Sequence, residues 1–178
     1  MIGDLVDYFG GIDDIEAKRL RVLHKNSFVD DPTRIIRGLK FSVRFGFELS
    51  NDTMDLQRRY LSNINYDMSY HRLKQELKDA FSLNRSEVME RFIEQGLYKL
   101  LGENQNLPSI NPKDVERIIK EYPCEHSWLI YLSYFNLSNI PLTRAEKRIL
   151  EWKERLKNQE PTNNTPMESL LIQKLEEI

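Results

Sequence analysis

Apolar residues recur along most of the chain at intervals of three and four, the spacing of helices with one buried face. Asp31 at an N-cap, Pro32 at the first helical position and Gly46 just past the end predict a helix over 31–45. Further helices are expected over 51–61, from behind Ser69 to about 83, over 86–95 with Gly96 as the stop, and from Asn111-Pro112 onward. An apolar stretch over 125–136 and a helix over 143–157, with Leu142, Ala145, Ile149, Trp152 and Leu156 in register, continue the series. Residues 159–166 (QEPTNNTP) read as a linker, and 167–178 as a short amphipathic helix. Only the start departs from this pattern. Leu5-Val6-Asp7-Tyr8 and Arg19-Leu20-Arg21-Val22-Leu23 read as short strands around a Gly10-Gly11 acidic turn. Two such strands are marginal alone, so residues 1–24 are expected to complete a larger sheet that this sequence does not contain.

Composition narrows the class. Over 178 residues, 40% apolar and 30% charged content suits a globular protein with ordinary cores. A net charge of −2 means that any basic surface must be local. A single cysteine, Cys124, excludes an internal disulfide framework and fits a cytoplasmic setting. No apolar run approaches the roughly 18 residues of a membrane span, so no membrane partner is expected. The opening MIGDLVDYFGG has neither the basic start nor the apolar centre of a secretion signal.

The candidate chemistry sits on the 31–45 helix. At about 100° per residue, Ile35, Ile36, Leu39 and Val43 share one side, while Arg34, Arg37, Lys40 and Arg44 share another with Phe41 among them. No acid lies between Thr33 and Phe47 to offset those cations within the helix. A solvated charged face is the plain alternative. Asp31, however, stands one turn before Arg34, so both heads can address one ligand. A carboxylate only accepts hydrogen bonds and a guanidinium only donates them. Side by side they complement the amine-then-acceptor edge of cytosine or adenine. Guanine and uracil present the opposite order, and their mismatch would leave polar groups unpaired. Arg37 and Lys40 are then placed to meet phosphates or to brace the pair.

These residues also carry a family resemblance. The run Asp30-Asp31-Pro32-Thr33-Arg34-Ile35-Ile36-Arg37, continuing to Phe41 and Gly46-Phe47, resembles the signature of class II tRNA nucleotidyltransferases and poly(A) polymerases, which include the CCA-adding enzymes. Gly3-Asp4-Leu5-Val6-Asp7-Tyr8-Phe9-Gly10-Gly11 resembles the end of that family's catalytic head, and His71-Arg72-Leu73-Lys74-Gln75-Glu76-Leu77 its neck motif. The match covers residues 3–100 and fades beyond about 105. It implies a mainly α chain: a hairpin-like β remnant of the head at 1–24, a helical neck for nucleobase selection at 25–104 and a helical, RNA-binding body at 105–178. It further implies that Asp31 and Arg34 read ATP or CTP, that Arg37 and Lys40 contact the nucleotide, and that Arg72 and Glu76 brace the reading helix. The partners implied are ATP or CTP, an RNA 3′ end, most naturally that of a tRNA, and the head itself. Three positions depart from the usual pattern: Asp30 and His71 replace glutamates, and Lys40 replaces an arginine.

The head's Gly-Ser loop and Asp-x-Asp pair have no counterpart in this sequence, so Mg²⁺ is expected only on the head, and no catalytic or metal-binding residue in this chain. Nucleotidyl transfer by the chain alone is not expected. Two other readings remain: a stand-alone helical RNA- or protein-binding module without catalysis, and a purely structural helical adaptor. His24, His71 and His126 lack metal spacing, and Cys124 lacks an activating neighbour. Tyr122, Trp128, Tyr131, Tyr134 and Phe135 read first as core, with an RNA-stacking surface as the alternative. Arg72 and Glu76, four apart, could also form a plain ion pair with each other. The cations Arg144, Lys147, Arg148, Lys153, Arg155 and Lys157 are interleaved with Glu146, Glu151 and Glu154, which favours ordinary surface over an RNA grip.

Overall fold

The computed structural model describes residues 6–178. The chain is mainly α. In order, it runs through α1 (Gly11–Glu16), β1 (Arg19–Leu20), α2 (Ser27–Asp30), α3 (Thr33–Phe45), β2 (Glu48–Leu49), α4 (Asn51–Ser62), α5 (Tyr70–Phe81) and α6 (Ser86–Glu94). A 3₁₀ turn (Leu97–Leu101) then leads to α7 (Pro112–Glu121), α8 (Ser127–Leu132), α9 (Arg144–Arg155) and α10 (Met167–Glu176).

Most boundaries follow local chemistry. Ser50, Ser69 and Asn111 accept amide hydrogen bonds from the first turns of α4, α5 and α7. Thr143 and Glu146 form a reciprocal capping box at α9. Gly46 and Gly96 take left-handed backbone angles, φ 67° and 71°, where α3 and α6 stop. Helical angles on α3 begin at Pro32, yet Asp31 Oδ1 accepts the Thr33 amide at 3.1 Å and so satisfies a first-turn donor as expected. The apolar 125–136 stretch is helical only over Ser127–Leu132, and Trp128, Leu129, Ile130, Tyr131 and Leu132 are all inaccessible to solvent. A helix buried on every side forms the centre of the molecule.

The small β element differs from the expected hairpin. Leu5 lies outside the described residues, and Val6, Asp7 and Tyr8 are not in a strand. Asp7 instead accepts the amides of Phe9, Gly11 and Ile12, which leads the chain into α1 where a turn was expected. The second expected strand shortens to β1, and its partner is β2, in parallel register Arg19↔Glu48 and Leu20↔Leu49. Parallel strands cannot be joined by a tight turn. Here the crossover is α2 and α3, so the two strands clip together the chain entering and leaving α3.

α3 packs chiefly on α5, and α5 in turn on α8. One apolar cluster runs from Phe28 through Ile35, Ile36 and Leu39 of α3, Leu73 and Leu77 of α5, and Trp128, to Ile172 and Leu175 of α10. The expected core side of α3 is the observed one. Tyr131 and Phe135 are buried as well, whereas Tyr122 is partly exposed beneath Lys174.

Candidate nucleotide and RNA site

The extended chain between α2 and α3 delivers Asp31 to the head of α3 with its carboxylate mostly covered. Oδ1 accepts the Thr33 amide at 3.1 Å and the Thr33 hydroxyl at 2.6 Å. Oδ2 accepts Arg72 Nη2 from α5 at 2.6 Å. Arg34 Nε stands 3.9 Å from the same oxygen, while its Nη1 donates to the Ser27 carbonyl at 3.2 Å. Burial would raise the Asp31 pKa, but the Thr33 hydrogen bonds and the Arg72 charge outweigh it and hold the carboxyl below the usual range. An ionised carboxylate offers about four acceptor positions. Three are taken by hydrogen bonds, which leaves one on Oδ2, beside Arg34.

Asp31 and Arg34 are therefore adjacent, as the spacing predicts, but they open onto different hollows. Arg34 lines a groove of about 140 Å³ with Arg37, Gly38, Phe28, Phe41 and Leu49. Asp31 lines one of about 150 Å³ with Pro32, Tyr60, Asn65 and Arg72. The carboxylate–guanidinium pair is the ridge between them.

The rest of the basic face is not unopposed. Arg37 donates twice to Glu76 Oε1, at 3.0 and 2.7 Å, and Lys40 reaches Glu76 Oε2 at 3.1 Å and Asp79 at 3.4 Å. The offsetting acids lie on α5, about 40 residues downstream, where helix periodicity within α3 cannot reveal them. Arg72 and Glu76 point to α3, not to each other: one holds Asp31, the other Arg37 and Lys40. Arg44 enters none of these pairs and lies over the Phe45 ring at 5.4 Å.

A second basic hollow, of about 450 Å³, lies along α9 between Arg144, Lys147, Arg148, Trp152 and Arg155, with Glu151 inside it. Lys153 is drawn away from that surface: it donates to the Ser133 carbonyl and stands over the Tyr134 ring.

Among the described residues, no group of three or more His, Cys, Asp or Glu side chains is arranged to hold a metal ion. Of the acids around the Gly10-Gly11 turn, Asp7 is held by three amides and Asp14 by Arg19 and Arg21. The residues described do not fit a magnesium ion. Burial pushes the Cys124 thiol up to about 12, which disqualifies it as a nucleophile. No helix among the described residues is long and apolar enough to cross a membrane.

No family model matches the chain. Among curated proteins, it is 39% identical over 92 residues to the A-adding tRNA nucleotidyltransferase of Aquifex aeolicus, a match covering 51% of this chain and 11% of that protein. Among solved structures, the CCA-adding enzyme of Thermotoga maritima in complex with tRNA superposes with a TM-score of 0.77 at 22% identity, over 94% of this chain and 49% of the other. A tRNA nucleotidyltransferase bound to a primer tRNA and an incoming ATP analogue gives 0.72 at 23% identity, over 98% and 62%. These two likenesses are of fold. In sequence over about half its length, and in fold over nearly all of it, the chain is similar to part of the tRNA nucleotidyltransferases. It spans about a tenth of the Aquifex protein and about half of the Thermotoga one.

Proposed function

We propose that this chain selects ATP or CTP and holds an RNA 3′ end, as the neck (25–104) and body (105–178) of an RNA nucleotidyltransferase. Residues 1–24 are on this reading a remnant of the catalytic head, which carries the Mg²⁺ ions and the chemistry. The transferred nucleotide would pass from NTP to the RNA 3′-hydroxyl on that head, and the chain alone would be inactive. The observation that carries the reading is the Asp31–Arg34 pair, held at 3.9 Å on one ridge. Arg72 and Thr33 fix the carboxylate and leave one acceptor position open toward Arg34. An exocyclic amine of cytosine or adenine can occupy that position while the guanidinium donates to the neighbouring ring nitrogen. A guanine or uracil carbonyl there would face the carboxylate with no proton between them.

Sequence similarity to an A-adding enzyme and fold similarity to enzymes solved with tRNA and with an ATP analogue support the assignment of substrates. Arg37 and Lys40 serve as secondary nucleotide contacts, and Arg72 and Glu76 as the braces that orient them. The α9 hollow is the basic surface available to the RNA backbone.

The test mixes this chain with a separately produced catalytic head, a tRNA lacking its 3′ end, and labelled ATP, CTP, GTP and UTP. Only A and C should be incorporated, and Arg34→Ala or Asp31→Asn should lower that selectivity at least tenfold. Incorporation of all four nucleotides, or selectivity unaffected by either substitution, overturns the reading. Arg34→Ala changes a half-exposed side chain, so its result is not confounded by unfolding.

A further inference from the structure

The C-terminal half of α3 carries a feature that base selection does not use. Arg34, Gly38, Phe41 and Phe45 fall on one line of the helix, at intervals of four, three and four residues. Phe41 shares the groove with Arg34, and its ring lies 5.8 Å from that of Phe45. Phe45 lies in turn 6.0 Å from Phe47, beyond the Gly46 stop. Phe45 is 54% exposed, and Phe41 and Phe47 beside it are half-buried, so the three rings form one partly open aromatic row. Cations flank the row: Lys40 stands 5.4 Å from the Phe41 ring centre and Arg44 5.4 Å from that of Phe45. Glu48, the nearest acid in sequence, is engaged by Arg91 at 2.6 Å.

The geometry points to a stacking site for single-stranded RNA on Phe41, Phe45 and Phe47, with Arg44 as its phosphate contact. Partly open rings interleaved with cations suit nucleic acid because every base has a face to stack and every linkage a charge to neutralise. A bare apolar partner would leave Arg44 unmatched. The line from Arg34 to Phe45 covers 12 residues, about 16 Å of helix. A few stacked nucleotides fit that length, and the groove at Gly38 connects them to the base-selecting ridge. The inference rests on the proposed function for its ligand class and adds a site to it.

The experiment is fluorescence anisotropy of a labelled ten-nucleotide single-stranded RNA titrated with the 178-residue chain and its variants. Phe45→Ala should weaken binding about tenfold, and Phe45→Trp should restore it, with its indole emission quenched as RNA is added. Arg44→Ala should lower the slope of log affinity against log salt by about 0.7. RNA binding unchanged by Phe45→Ala overturns the site while leaving nucleotide selection at Asp31 and Arg34 intact. A loss in Phe45→Ala alongside selectivity indifferent to Arg34→Ala would keep the site and remove the nucleotide reading. The site is also overturned if the wild-type chain binds no RNA, or if Phe45→Ala only abolishes self-association seen by light scattering. Circular dichroism of each variant confirms that the exposed substitution leaves the fold in place.

Discussion

Replacing Glu146 by alanine should cost about 4 kcal/mol of stability, because the carboxylate is the counter-charge of the Lys74 ammonium, which has no other ion-pair partner among the described residues. Glu146 is 3% exposed. Its Oε2 accepts Lys74 Nζ at 2.5 Å and the Thr143 amide at 2.7 Å. Lys74 has one further acceptor, the Pro141 carbonyl at 2.9 Å, which satisfies a proton but not the charge. Breaking a buried pair on one side costs about 3–5 kcal/mol, and the orphaned Thr143 amide adds to that less than additively. At about 2–4 °C per kcal/mol for a chain of this size, the melting temperature should fall by about 8–16 °C. Removing both charges together, as Lys74→Met with Glu146→Leu, should recover most of the loss, since a well-packed apolar pair avoids both desolvation costs. The pH dependence gives a second reading. Burial pushes the Glu146 pKa up, but hydrogen bonds from Lys74 and Thr143 outweigh it and hold the group below its ordinary value. Its contribution to stability is thus complete above the unfolded pKa and is lost as pH falls through the lower folded value. Lys74→Met alone removes the largest downward influence, so the folded pKa rises toward the unfolded one and the acid limb that Glu146 contributes to the stability curve should shrink. Thermal and urea melts of the single and double variants provide the measurement. A loss below 1 kcal/mol for Glu146→Ala, or a double variant as unstable as the sum of the singles, would refute the reasoning.

Three smaller predictions use the same melts. Gly46→Ala should cost about 1 kcal/mol, because φ is 67° there, although the space beside it is open. Gly38→Ala should instead stabilise α3 by about 0.5–1 kcal/mol, since the added methyl meets Leu49 at an ordinary 3.7 Å; unchanged or lowered stability would contradict this. Glu116 is held down to about 2 by Lys120 and the Ser86 amide, so its share of stability is lost as pH falls from about 4.5 towards 2, and Glu116→Gln should flatten that part of the curve.

Much of the helical framework was legible because its signals are local. Ser50, Ser69, Asn111 and Thr143 announce helix starts through their own side chains, and Gly96 announces a stop through its backbone freedom. The parallel clip was not legible, since two-residue strands carry no periodicity and their pairing depends on how α3 returns the chain. α1 was hidden by Gly10-Gly11, which read as a turn; Gly10 does turn, with φ 71°, but the amides beyond it find Asp7 and start a helix. At the site, the adjacency of Asp31 and Arg34 followed from one helical turn. Their separate hollows did not, because Phe28, Tyr60 and Leu49 come from other elements. The resemblance supplied the only early sign that Arg72 and Glu76 bear on α3; spacing alone equally allowed them to pair with each other.

Glu76 gives the basic face of α3 an unusual electrical property. Arg37 and Lys40 carry their counterion as part of the polypeptide, so any anion reaching them would trade places with a tethered carboxylate instead of expelling small ions into solution. Binding there is an exchange, with little salt-driven entropy to gain. Its strength should consequently vary far less with ionic strength than that of a ligand drawn to Arg44, and added salt would separate the two ends of one helix.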